Sequence, residues 1–170
     1  MLGKIKTLRE LFEIELRYAY DCEQKLVDKG LPTMIENASS PELQNALKQH
    51  LQETRTQVTR LDRVFVALGA EPKTKDNDIV DEMMSAAKDS VSNIDPSPLR
   101  DAALIMNGNE VEHYEIALYG SLAAIARNLG LQDAVGLLDQ TLNEEKQADA
   151  KLTQIAETVL NPQAARRQSA

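Results

Sequence analysis

The chain has 170 residues, with 19 lysines and arginines against 27 aspartates and glutamates and a formal net charge of −8. One domain fits that length, and an acidic balance disfavours a nucleic-acid interface, which needs clustered cations to displace counterions; Arg166 and Arg167 are too few to change that. Hydrophobic residues make up 42% but aromatics only 4%, with no tryptophan, so the core is built from Leu, Ile, Val, Ala and Met, a composition that suits helix-on-helix packing.

In chain order, breakers at 30–32, 38–41, 69–77, 93–98, Gly130 and Pro162 separate stretches that lack strand-like alternation, and helices are expected to fill them. The first spans about 7–37; Thr7 and Glu10 stand in capping-box spacing at its start, and a bend is expected at Pro32, whose ring removes a helical N–H. The second runs from Ser40, with Pro41 and Glu42 in its first turn, to Gly69 as a C-terminal stop. A short helix follows at about 79–93. The third long helix, capped by Ser97, runs to Leu129 ahead of Gly130, and the fourth covers about 131–160. Tight links within the first and last pairs and a long link between them predict an all-α fold: a ferritin-like four-helix bundle of two antiparallel hairpins, with a crossover that carries the short fifth helix. The bundle domain is expected over 1–161, followed by a polar, disordered tail at 162–170.

No apolar run approaches the ~20 residues of a membrane-spanning helix. No secretory pattern precedes the first periodic segment, and Cys22, the single cysteine, has no internal disulfide partner. The expectation is a cytoplasmic protein with neither membrane nor nucleic-acid partners.

Stepping three or four residues along each long helix traces one apolar face, and every such stripe carries a glutamate near its middle. They read Leu16, Ala19, Glu23, Leu26 in the first helix and His50, Glu53, Gln57, Leu61 in the second; Val111, Glu115, Leu118, Leu122 and Leu142, Glu145, Asp149, Leu152 follow in the third and fourth. Glu23 and Glu53 are 30 residues apart, as are Glu115 and Glu145, so the hairpins repeat with an offset of 92, which also pairs Gln57 with Asp149. Buried carboxylates repel one another and lose hydration at a cost of several kcal/mol each, so a cluster of them calls for cations. Oxygen-rich ligation suits Fe, Mn or Mg, and two Fe or Mn ions are the expected cofactors. Candidate metal ligands are Glu23, Glu53, Glu112, Glu115, Glu145 and Asp149. The Glu-x-x-His pairs usual in such bundles are missing; His50 lies three residues before Glu53, placed to serve as a ligand or as a donor to one. Tyr18, Tyr20, Tyr114 and Tyr119 fall near the same height, Cys22 reads as a small core residue, and Glu110 and His113 read equally well as solvated.

In the segments Tyr20-Asp-Cys-Glu23-Gln-Lys-Leu26, His50-Leu-Gln-Glu53-Thr54, Val111-Glu-His-Tyr-Glu-Ile-Ala-Leu-Tyr-Gly120 and Leu142-Asn-Glu-Glu-Lys-Gln-Ala-Asp149, the chain resembles the YciF-like bacterial stress proteins of the ferritin-like superfamily. Arg100-Asp-Ala-Ala-Leu-Ile adds to the likeness, which covers about 7–160. The resemblance implies a four-helix bundle with a crossover, a homodimer, a two-metal carboxylate site and a place in osmotic, bile or general stress responses. Glu23, Glu53, Glu115 and Glu145 match its motif positions, with Glu112 in the same block. By analogy with the superfamily, Glu23 and Glu115 are terminal ligands and Glu53 and Glu145 bridging ones. The leading functional expectation is metal-dependent oxidation of Fe(II) by peroxide or oxygen, or disproportionation of peroxide. The alternative is a non-catalytic helical interaction protein with a vestigial site. Iron storage in a cage is disfavoured, because nothing in a chain this short specifies a hollow multimer.

Overall fold

The computed structural model describes residues 4–166. Its elements are α1 (Leu8–Lys25), a π-helical turn (Leu26–Gly30), α2 (Leu31–Asn37), α3 (Pro41–Leu68), α4 (Asp78–Ser92), α5 (Pro98–Asn128), α6 (Gln132–Ile155), a second π-helical turn (Ala156–Leu160) and α7 (Asn161–Arg166). No strand occurs among the described residues.

Local chemistry sets most of the boundaries. Thr7 and Glu10 form a complete capping box at α1. The Ser40 and Ser97 hydroxyls accept from the Leu43 and Arg100 amides, with a proline next in sequence in both cases. Gly69 and Gly130 adopt positive φ, 74° and 72°, the left-handed conformation that ends a helix at low cost only for glycine. Asn77 caps α4 through the Val80 amide.

Ahead of Pro32 the first long helix leaves regular α geometry: it widens over one turn, where the Leu31 amide donates to the Leu26 carbonyl across a π turn. A proline within a helix lacks its own N–H and crowds the carbonyl four residues back, and a local change from i+4 to i+5 bonding accommodates both. The same device recurs before Pro162, where the Asn161 amide donates to the Ala156 carbonyl. The chain therefore stays helical through Arg166, which corrects the expected disordered tail over 162–166; residues 167–170 lie outside the described residues.

The core consists of two apolar clusters. One joins Phe12 and Leu16 of α1 with Leu61, Phe65 and Leu68 near the end of α3, Leu122 and Ala126 of α5 and Leu138 of α6. The other joins Leu26 and Leu31 with Leu43 and Leu47 at the start of α3, Leu104 and Ile105 of α5, Leu152 and Ile155 of α6, and Val80 and Val91 of α4. α1 and α6 thus run from the first cluster to the second, and α3 and α5 run the opposite way. Each of α1 and α6 packs on both α3 and α5, so every adjacent pair is antiparallel and like directions lie on the diagonals. Because α3 ends and α5 begins at opposite ends of the bundle, the chain between them must traverse its length, and α4 lies along that crossing. The fold is the expected ferritin-like arrangement. Between the two apolar clusters lies a polar layer.

Candidate metal centre

All four long helices contribute to this layer. Glu23 comes from α1, His50 from α3, Glu112 and Glu115 from α5, and Glu145 from α6; all five are buried, with Glu23 and Glu145 at 0% exposure. Their ligand atoms form two trios, His50 with Glu112 and Glu145, and Glu23 with Glu115 and Glu145, each with its atoms within 4.8 Å of one another. Glu145 belongs to both.

The hydrogen bonding around these groups is incomplete. Tyr119 donates its hydroxyl to Glu23 Oε1, and the Cys22 thiol lies 3.6 Å from Glu115 Oε1. His50 Nε2 stands 3.0 Å from Glu112 and 4.0 Å from Glu145. Buried and unpartnered are Glu23 Oε2, Glu112 Oε2, Glu115 Oε2, both oxygens of Glu145 and His50 Nδ1. Orphaned buried acceptors cost roughly 1–3 kcal/mol each, more for charged groups, and a set of them facing one another has the donor chemistry of a cation site.

Electrostatics in the metal-free chain follow from that crowding. Burial raises Glu23 to about 7, against the opposing hydrogen bond from Tyr119. Burial, with Glu23 and Glu112 nearby, raises Glu145 to about 10. Glu115 is pushed well above the usual carboxylate range by burial and by Glu23 and Glu145. Burial works against a charged His50, but Glu112, Glu53 and Glu145 outweigh it and hold the imidazole well above its ordinary value. An imidazolium therefore supplies the one positive charge inside the trios. Burial and the adjacent Glu115 and Glu23 keep Cys22 a thiol.

Of the six carboxylates expected at the site, Glu23, Glu112, Glu115 and Glu145 are brought together. Glu53 is not among them: its side chain is 37% exposed, 3.8 Å from His50 Nδ1, and held by the Gln49 amide at 2.9 Å. The His50 ring, opposed by partial burial and aided by Gln49, keeps its carboxyl below the usual range. α3 is rotated so that His50, Thr54 and Gln57 face inward, and His50 takes the place expected for Glu53. Asp149 is also outside both trios; it pairs with the exposed His113 at 3.2 Å. Glu110 is exposed.

Two features escaped the sequence reading. Arg60, buried on α3, donates to both oxygens of Glu144 at 2.8 and 2.9 Å and to Thr141 at 2.6 Å, while Gln57 donates to the same Glu144 at 3.1 Å. This clamp joins α3 to α6 beside Glu145, two to three turns along α3 from His50. The other is Asn77, buried in the crossover, whose side-chain amide donates to the Tyr18 carbonyl and the Tyr114 hydroxyl, while its backbone N–H donates to Asp21. Lys25 bridges Asp21 and Asp81 beside it. An arginine or an asparagine on a helical chain is ordinarily solvated, and only the partner helix distinguishes these two.

A family model described as "Domain of unknown function (DUF892)" matches residues 7–165. The chain belongs to the DUF892 family. One DUF892-like relative, Protein YciF of Escherichia coli (strain K12), is 36% identical over 162 residues, spanning 94% of this chain and 96% of that protein. The crystal structure of the E. coli stress protein YciF matches with a TM-score of 0.88 at 35% identity, covering 92% of this chain and 99% of that one. YcfI from Rhodopseudomonas palustris matches with a TM-score of 0.86 at 40% identity, covering 90% and 97%. A protein from Xanthomonas campestris pv. campestris, 22% identical with a TM-score of 0.74, shares the fold over 95% of this chain and 99% of its own. The likeness to YciF expected from the Glu-His-Tyr-Glu block holds over nearly the whole DUF892 domain. No helix among the described residues is long and apolar enough to cross a membrane.

Proposed function

We propose that this DUF892 protein holds two Fe or Mn ions in the polar layer and acts in stress defence, oxidising Fe(II) with peroxide or oxygen or disproportionating peroxide. The observation that carries this reading is that Glu145, with both oxygens buried and unpartnered, is shared by two separate ligand trios. A carboxylate that belongs to both ligand trios is what a two-ion site would need of its shared residue.

In this reading His50 through Nε2 and Glu112 complete one trio, and Glu23 and Glu115 the other. Bound metal would supply Lewis acidity and electron transfer toward an oxygen-containing substrate. The rest is the work of the chain. Tyr119 fixes one oxygen of Glu23 and leaves Oε2 free. Cys22 does the same for Glu115 through its thiol. The Arg60–Glu144 clamp holds α6 against α3 at the residue next to Glu145. The apolar clusters on either side exclude bulk water, which strengthens every charge interaction in the layer. His50, a cation in the metal-free chain, has to give up its proton to become a ligand, so loading releases protons.

The test is elemental analysis after anaerobic loading with Fe(II) or Mn(II). Close to two ions per chain is expected, with a marked loss in Glu145→Gln. No retained transition metal in the unmodified chain would sink the reading. Peroxide consumption by loaded protein then separates disproportionation from Fe(II) oxidation.

A further inference from the structure

An open cleft of about 210 Å³ lies between α3 and α6, lined by Gln49, His50, Glu53, Gln147 and Lys151 above an apolar floor that includes Leu47 and Leu152. One water needs only about 10–15 Å³ of such space, so a hydrated ion has room. His50 is the member of this lining that also belongs to a buried trio. A second cavity, between α1, the crossover and α5, is lined by Glu15, Tyr18, Asn77 and Tyr114 among others, none of them in either trio, and two of these, Asn77 and Tyr114, are joined by a 2.8 Å bond.

The two nitrogens of His50 face different places. Nε2 faces inward, 3.0 Å from Glu112 and 4.0 Å from Glu145. Nδ1 lies 3.8 Å from Glu53 Oε2 and is buried without a hydrogen-bond partner. Glu53 is half open to the cleft and has one oxygen, Oε1, tied to Gln49, which leaves Oε2 for a ligand. From this geometry we propose that Glu53 and His50 Nδ1 form an entry site for divalent transition-metal ions, which takes an ion from the α3–α6 cleft before it reaches the buried cluster. The inference rests on the metal-centre reading above and assigns Glu53 to a different duty, capture in place of bridging. A carboxylate at the mouth attracts and partly dehydrates the ion, and His50, on giving up the proton at Nδ1, offers that nitrogen on the Glu53 side while Nε2 faces Glu112. Lys151, on the α6 lip of the same cleft, opposes the attraction.

The experiment uses Co(II) alone as the probe, mixed anaerobically with the full chain in a stopped-flow instrument and followed by ligand-field absorbance, with the final content measured by elemental analysis. Glu53→Gln should load to the same final content about tenfold more slowly, in the range of electrostatic steering effects, and Lys151→Gln should load several-fold faster. The wild-type rate should fall with added salt. Melting temperatures of the two metal-free variants, both altered at the surface, serve as the check on folding. Loading of Glu53→Gln at the wild-type rate would overturn the entry site and leave the metal centre standing. A lower final content in Glu53→Gln would overturn it as well, because Glu53 would then be a ligand of the finished centre. Absence of Co(II) uptake by the unmodified chain would remove both the entry site and the centre.

Discussion

Glu145 shows how a residue can be costly to the fold and still be retained. With burial and its neighbours raising it to about 10, it is a neutral acid at neutral pH in the metal-free protein, and glutamine has nearly the same shape and charge as that acid. At about pH 4, where the carboxyl is protonated in the unfolded chain as well, Glu145→Gln should therefore shift metal-free stability by no more than about 1 kcal/mol in urea unfolding, and at pH 7 it should stabilise the metal-free chain by about 3 kcal/mol, since glutamine takes up no proton on folding; at either pH it removes the shared ligand. Tyr119 is a sharper probe. Its hydroxyl donates to Glu23 and favours the ionised carboxylate, so Tyr119→Phe should cost about 1–2 kcal/mol of stability. It should also move the pH at which Co(II) binding is half complete upward, since Glu23 then surrenders its proton less readily. An unchanged pH midpoint in the Phe variant would show that this hydrogen bond does not tune Glu23.

Among the elements, the α2–α3 corner depends on a side chain from a third helix. Asp101, buried in the first turn of α5, accepts from the Ser39 amide at 2.7 Å and the Ser40 amide at 2.8 Å. Asp101→Ala would strip two charge-assisted bonds from the Ser39 and Ser40 amides, and a loss of about 2–3 kcal/mol is expected, measured by chemical denaturation; a cost below about 1 kcal/mol would mean that water replaces the carboxylate. Legibility in the sequence divides along the same line. Thr7, Ser40, Ser97, Gly69 and Gly130 act within a few residues of themselves, so the helix ends could be read from composition. The phase of α3 could not. Glu53 and Thr54 are adjacent in sequence and about 100° apart around a helix; both fit a stripe read in steps of three or four, and only packing against α6 decides that Thr54 is buried and Glu53 is not. The offset of 92 made Glu53 the counterpart of Glu145 and Asp149 that of Gln57, but the two hairpins are rotated differently, and a lone histidine on α3 fills the inward place. The π turns were hidden for a similar reason: Pro32 announces a disturbance, and the backbone absorbs it in the preceding turn.

For the molecule as a whole, the buried carboxylates link stability to pH. A group whose pKa is higher folded than unfolded contributes stability that is full below its unfolded value and is lost as pH rises to the folded one. Glu23 goes from 4.5 to about 7 and Glu145 from 4.5 to about 10, and His50 is shifted in the same direction. Metal-free protein should therefore melt at progressively lower temperature between about pH 5 and 8, by about 3 kcal/mol from Glu23 alone. Metal-loaded protein should show the reverse trend, because ligands must be deprotonated to bind and an ion held only by the native state stabilises it. Thermal melts at both pH values, with and without Mn(II), check both slopes; a metal-free melting temperature that does not fall over this range would contradict the electrostatics described for the layer.

The sharing of Glu145 between the two trios has a consequence for the order of synthesis. The first hairpin supplies only Glu23 and His50, and α5 adds Glu112 and Glu115, yet neither trio is complete until residue 145 has left the ribosome and α6 has docked. A nascent chain with three of its four long helices made has neither trio complete, so under the proposed metal-centre reading capture of an ion would mark a chain whose last helix is in place.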